Sequence, residues 1–126
     1  MNQSVFVIMP VSGVKTAPDK LRIVQRIALE RSWSVHLPAY DPDAPVFNLN
    51  ETIREMRASN LIIADLTGER PSCYYELGLA EALHLPIFAV AERNTPIHQT
   101  SIRAEVKSYE DLDDFARLMN RALAAQ

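Results

Sequence analysis

Three short runs in this chain are apolar at every position: Val5-Phe6-Val7-Ile8-Met9, Leu61-Ile62-Ile63-Ala64 and Ile87-Phe88-Ala89-Val90-Ala91. A half-exposed strand alternates polar and apolar residues, so strands without a polar side must be covered on both faces. Helical periodicity fills the gaps between them. Thr16-Ala17-Pro18-Asp19 has the form of a capping box, and Leu21, Val24, Ile27 and Ala28 then recur at three- and four-residue steps towards an end near Arg31-Ser32. Trp33-Ser34-Val35-His36-Leu37 alternates and reads as a second strand. Residues 38–47 hold three prolines and two aspartates and read as a long, candidate functional loop. Asn48 or Asn50 caps a short helix to about Ser59, with Leu49, Ile53 and Met56 inward.

Pro86 opens the fourth strand, and Ile102-Arg103-Ala104-Glu105-Val106 reads as a weaker fifth one at a sheet edge. Ser108-Tyr109-Glu110-Asp111 forms a second capping box before a stripe of Leu112, Phe115, Ala116, Met119, Ala122 and Leu123. Strand and helix alternating about five times, joined by right-handed crossovers, predict an α/β chain. The expected architecture is a flavodoxin-like five-stranded parallel sheet, order 2-1-3-4-5, with helices on both faces and residues 1–126 as a single domain. Ligands of such sheets bind beyond the carboxyl ends of the strands where the winding reverses, here between the first and third strands. The loops meeting there are Pro10-Val11-Ser12-Gly13 and Asp65-Leu66-Thr67-Gly68.

The helix after this second loop carries the anomaly. Ser72 stands where an N-cap belongs, and Glu76 then falls within the arc of Cys73, Leu77, Leu79, Ala80 and Leu83 that the helix should bury. A carboxylate there is costly unless it is paired or lines a cleft. It is either a catalyst or a structural acid near a helix N-terminus. Asp65 either serves the same site or hydrogen-bonds the turn that follows it. Thr67, Gly68, Arg70 and Ser72 are candidates to hold a phosphate or ribose hydroxyl, as are Pro10, Ser12 and Gly13. Tyr74, Tyr75 and Phe47 either stack on a base or fill core; Gly78 allows close helix packing, and Cys73 reads as a small buried residue.

Several classes are excluded by what is missing. No Gly-x-Gly-x-x-Gly follows the first strand, which argues against an ordinary dinucleotide-binding Rossmann domain. Met9-Pro10 ends that strand without the paired carboxylates a phospho-receiver needs for Mg²⁺, although Asp65 and Lys107 fall where its other residues would. One cysteine and three scattered histidines give no metal pattern, so neither a metal nor another cofactor is expected. A net charge of -3 without runs gives no reason to expect a nucleic-acid partner. With no basic leader and no apolar stretch of the ~20 residues that span a bilayer, the expected location is cytoplasmic, away from membranes.

Ala64-Asp65-Leu66-Thr67-Gly68, followed by Tyr75-Glu76-Leu77-Gly78-Leu79-Ala80 and preceded by the first strand, resembles the nucleoside 2-deoxyribosyltransferase-like superfamily. The resemblance implies cleavage of an N-glycosidic bond of a nucleoside or nucleotide, with Glu76 as the attacking carboxylate and Asp65 organising the site. Where deoxyribosyltransferases carry a further aspartate before that glutamate, this chain has Arg70, which leans the implied substrate towards a nucleoside 5'-monophosphate. The same two motifs occur in TIR-like proteins, which implies two alternatives: an NAD hydrolase, or a silent nucleotide-binding and self-association module. Relatives complete their sites across subunits, so a homodimer or higher homo-oligomer is implied.

Overall fold

The computed structural model describes residues 3–11, 13–37 and 48–124. The expectations placed on Ser12, on Phe47 and on the loop 38–47 lie outside the described residues. The elements run β1 (Gln3–Ile8), α1 (Ala17–Glu30), β2 (Trp33–His36), α2 (Leu49–Arg57), β3 (Leu61–Asp65), α3 (Pro71–Ala82), β4 (Ile87–Glu92), β5 (Lys107–Tyr109) and α4 (Leu112–Ala124). All neighbouring strands are parallel, in the order β2-β1-β3-β4-β5. This is the doubly wound flavodoxin-like sheet expected from the apolar runs, with β5 at an edge.

Alternate residues of the central strands feed two separate cores. Val5, Val7, Met9, Leu61 and Ile63 pack under α1 and α4 with Val24, Ile27, Phe115 and Met119. Phe6, Ile8, Ile62 and Ala64 pack under α2 and α3 with Met56, Cys73, Leu77 and Ala80. Every residue of β3 is buried, as a central strand covered on both faces requires. Each fully buried Val, Leu or Ile contributes about 1.5–3 kcal/mol against exposure, so the two layers clamp the strands from both sides. No helix among the described residues is long and apolar enough to cross a membrane.

Local reading went astray where an apolar spacing fitted two periods, or where a polar residue found a distant partner. The segment expected to be the fifth strand makes a single 3-10 turn at Arg103–Glu105, and β5 starts only at Lys107. Ile102 and Val106 are four apart, so a helical turn sends both to the α2/α3 core as readily as a strand would. Ser108 lies within β5, and Asp111 caps α4 by accepting the Asp114 N–H at 2.8 Å. Thr16 makes no cap bond to α1, because its hydroxyl donates to Glu92 Oε1 at 3.3 Å. Asn48 does cap α2, accepting the Glu51 N–H at 2.9 Å. Leu49 is 41% exposed, since the first turn of α2 is uncovered by described residues.

Phe115 is wholly buried and meets Tyr109 edge-on, with ring centroids 5.2 Å apart. Phe115→Ala should lower the unfolding free energy by about 3–5 kcal/mol, read as a lower urea midpoint at unchanged slope.

Candidate functional site

At the carboxyl end of β3, the Asp65 carboxylate is completely buried. Its Oδ1 accepts the Thr67 N–H at 3.1 Å and the Thr67 hydroxyl at 2.7 Å. Its Oδ2 accepts Lys20 Nζ at 3.2 Å and the Tyr109 hydroxyl at 2.8 Å. Lys20 is 1% exposed; it also reaches Glu92 Oε1 at 3.2 Å and lies 5.1 Å from the centre of the Tyr109 ring. Thr67 Oγ1 accepts the Glu92 N–H at 2.9 Å. Burial first, then the negative charge of Asp65, pushes the Tyr109 hydroxyl well above the usual phenol range, so it stays a donor. With four donors on its two oxygens, Asp65 braces the site from below and holds the turn after β3.

That turn joins the two loops expected at the switch point. Gly68 has φ +77 and Glu69 φ 48, and the Glu69 N–H returns to Leu66 O at 2.9 Å. Arg70 then lays its guanidinium over Gly13 of the β1–α1 loop. A Cβ at Gly13 would meet only the movable end of the Arg70 side chain, so it is the left-handed backbone, φ +74, that favours glycine there. Pro10 is buried at the end of β1.

Helix α3 begins two residues earlier than expected. Pro71 occupies its first position and Arg70 is the N-cap, while Ser72 lies inside the first turn. Proline's fixed φ suits that position and its missing N–H costs nothing there. The buried stripe is Cys73, Leu77 and Ala80, with Glu76 beside it. Glu76 lines an open cleft of about 510 Å³ with Pro71, Ser72 and Tyr75. Burial alone pushes its carboxyl from 4.5 up to about 7. Cys73 is pushed to about 12, by burial foremost and then by the charges of Glu76 and Asp65, so its thiol is inert as a nucleophile at neutral pH. Gly78 faces outward, and an added Cβ would meet nothing within 4 Å, so the close packing expected of it is absent among the described residues.

A second cleft, of about 670 Å³, adjoins the first across Pro71 and Tyr75 and is lined further by Glu69, Tyr74, His98 and Gln99. Glu69 Oε1 accepts the Tyr74 hydroxyl at 2.8 Å, the His98 N–H at 3.2 Å and a bond from His98 Nδ1 at 2.8 Å. The Tyr74 bond is the main reason that the Glu69 carboxyl lies below its ordinary value.

Among the expected residues, Ser72, Tyr75 and Glu76 share one cleft, and the Arg70 guanidinium lies over Gly13. Asp65 and Thr67 lie beneath the surface. Lys20, Glu92, Tyr109, His98 and Gln99 were not foreseen. Only Lys20 left a local trace, because it falls on the same helical line as Val24 and Ile27. Among the described residues no group of three or more His, Cys, Asp or Glu side chains is placed to hold a metal ion.

No family model and no curated protein matches the chain. Among solved structures it is similar to a conserved protein from Enterococcus faecalis V583, at 14% identity with a TM-score of 0.62, over 96% of this chain and 99% of that one. It is also similar to a segment of the constitutive lysine decarboxylase of E. coli, at 13% identity with a TM-score of 0.51, over 98% of this chain and 17% of that one. At such identities these neighbours show a shared fold and nothing of its chemistry.

Two outcomes follow from the contrast between the buried acids. Lys20→Ala leaves Asp65 buried without its cation and should cost about 3–5 kcal/mol in chemical denaturation. Burial raises Glu76 in the folded chain only, so the fold binds that proton more tightly than the unfolded chain does. Stability is therefore lost as pH climbs from 4.5 towards about 7. Glu76→Gln should melt near the parent at about pH 4 and several degrees above it at about pH 8; parallel melting curves at both pH values would refute the burial argument.

Proposed function

We propose that the protein cleaves the N-glycosidic bond of a nucleoside 5'-monophosphate or related nucleotide, with Glu76 as nucleophile. The observation that carries this reading is a single carboxylate, partly stripped of water, on the wall of an open cleft at the switch point of a parallel sheet. In the first step a Glu76 carboxylate oxygen attacks the anomeric carbon. The bond to the base nitrogen breaks, its electron pair leaves with the base, and the base takes up a proton. The glycosyl ester is then opened by water or by an acceptor base, which regenerates the carboxylate. Burial favours the attack, because a weakly hydrated carboxylate sheds less solvent on reaching the sugar.

The residues around Glu76 suit a nucleotide. Ser72 offers a hydroxyl beside the carboxylate, and Arg70 brings a cation to the loop of Gly13, where a 5'-phosphate finds charge and backbone together. Tyr75 is 55% exposed and supplies an aromatic face to the ligand. Asp65 and Thr67 act in this reading by holding the turn that launches α3.

Incubation with a panel of nucleosides, nucleoside monophosphates and NAD, followed by chromatography of released base, tests the reading. Release should be best from a monophosphate and should fall by about three to six orders of magnitude in Glu76→Gln. Since the attacking form is ionised, kcat/KM should rise with pH to a plateau, with its midpoint near the value of about 7 set by burial. Unchanged turnover in Glu76→Gln, or no release from any compound, would overturn the assignment. Nicotinamide as the main product would move the substrate class to NAD.

A further inference from the structure

The second cleft was built by none of the residues assigned to the sugar, yet it shares the Pro71 and Tyr75 wall with the Glu76 cleft. Its volume of about 670 Å³ falls in the range of small-molecule sites. Glu69 holds it together from a left-handed backbone, φ 48, that a non-glycine residue adopts at a cost. The side chain so placed gathers the Tyr74 hydroxyl and both the N–H and the ring of His98, which ties the β4–β5 connection to the start of α3.

This arrangement sets the hydrogen-bonding character of the cleft. A carboxylate only accepts, so the ring nitrogen of His98 that meets Glu69 Oε1 at 2.8 Å, Nδ1, must carry the proton. In the neutral ring the other nitrogen, Nε2, is then an acceptor. The His98 side chain is 60% exposed, and Gln99 adds an amide with donors and an acceptor to the same lining. Tyr75, exposed on the shared wall, gives a flat ring for stacking.

We infer that this cleft is a subsite for a nucleobase bearing an exocyclic amino group, which donates to His98 Nε2 while the base pairs with the Gln99 amide and stacks on Tyr75. A keto base of the same shape would set oxygen against the Nε2 lone pair and is disfavoured. The inference deepens the proposed glycosidase reading, since a base held here lies next to a sugar at Glu76, but recognition of the base does not need catalysis.

The test is calorimetric titration of the parent protein with adenine and with hypoxanthine, its keto counterpart. Adenine should bind at least about 10-fold more tightly. His98→Ala should erase that preference, Gln99→Ala should weaken adenine, and Glu69→Gln, which releases the tautomer, should narrow the gap. Equal binding of the two bases, no binding of adenine, or undiminished preference in His98→Ala would overturn the subsite. Selective adenine binding without base release from any substrate would uphold it while sinking the glycosidase reading. Base release dependent on Glu76 with no adenine preference would do the reverse. The base has two sources: labelled adenine carried into product during turnover identifies a free acceptor, whereas competitive inhibition without incorporation identifies the substrate's own base.

Discussion

A buried carboxylate that cannot be left alone governs this structure. Asp65 ends the central strand with no exposed surface, and a charge in that position destabilises the fold severely unless donors surround it. Four bonds do so, from Thr67 twice, Lys20 and Tyr109. They come from the β3–α3 turn, α1 and β5, and Lys20 and Thr67 extend the network to Glu92 on β4. Satisfying one side chain therefore aligns the carboxyl ends of β3, β4 and β5, where the candidate site lies.

The contrast with Glu76 follows from environment rather than from residue type. Both are carboxylates near the start of α3, but Asp65 is immersed in donors, whereas Glu76 meets apolar burial and an open cleft. One is tied to the fold; the other keeps its chemistry available, with a carboxyl held near neutrality. Such a division between a bracing acid and one left facing a cleft is what the proposed glycosidase reading rests on.

The short turn between them distributes its charges in opposite directions. Arg70 leans back over Gly13 towards β1, and Glu69 leans forward to His98 on the β4–β5 connection. Consecutive left-handed residues at Gly68 and Glu69 make this possible within a few positions. Pro71 then starts α3 at once, so that Tyr75 stands as a partition between the two clefts. The charges that reach towards β1 and towards the second cleft thus come from one turn that belongs to neither core.

How much of this was legible beforehand depends on the range of the interaction. Strands apolar at every position can only be central and covered twice, so the parallel sheet, its order and the switch-point loops were readable from the sequence by itself. The period of α3 likewise marked Glu76 as out of place, although its helix begins at Pro71 rather than after Ser72. The cap assigned to Thr16 failed because its hydroxyl donates to Glu92, 76 positions away, and the one assigned to Ser108 failed because that residue lies within β5 and Asp111 caps α4 instead. The Lys20–Asp65, Asp65–Tyr109 and Glu69–His98 pairs are separated by 45, 44 and 29 positions. Sequence carries periodicity, which is local and fixes which side of an element is buried. Only tertiary structure decided which polar groups meet across the sheet's end, because those meetings depend on strand register and on the path of turns that periodicity does not encode.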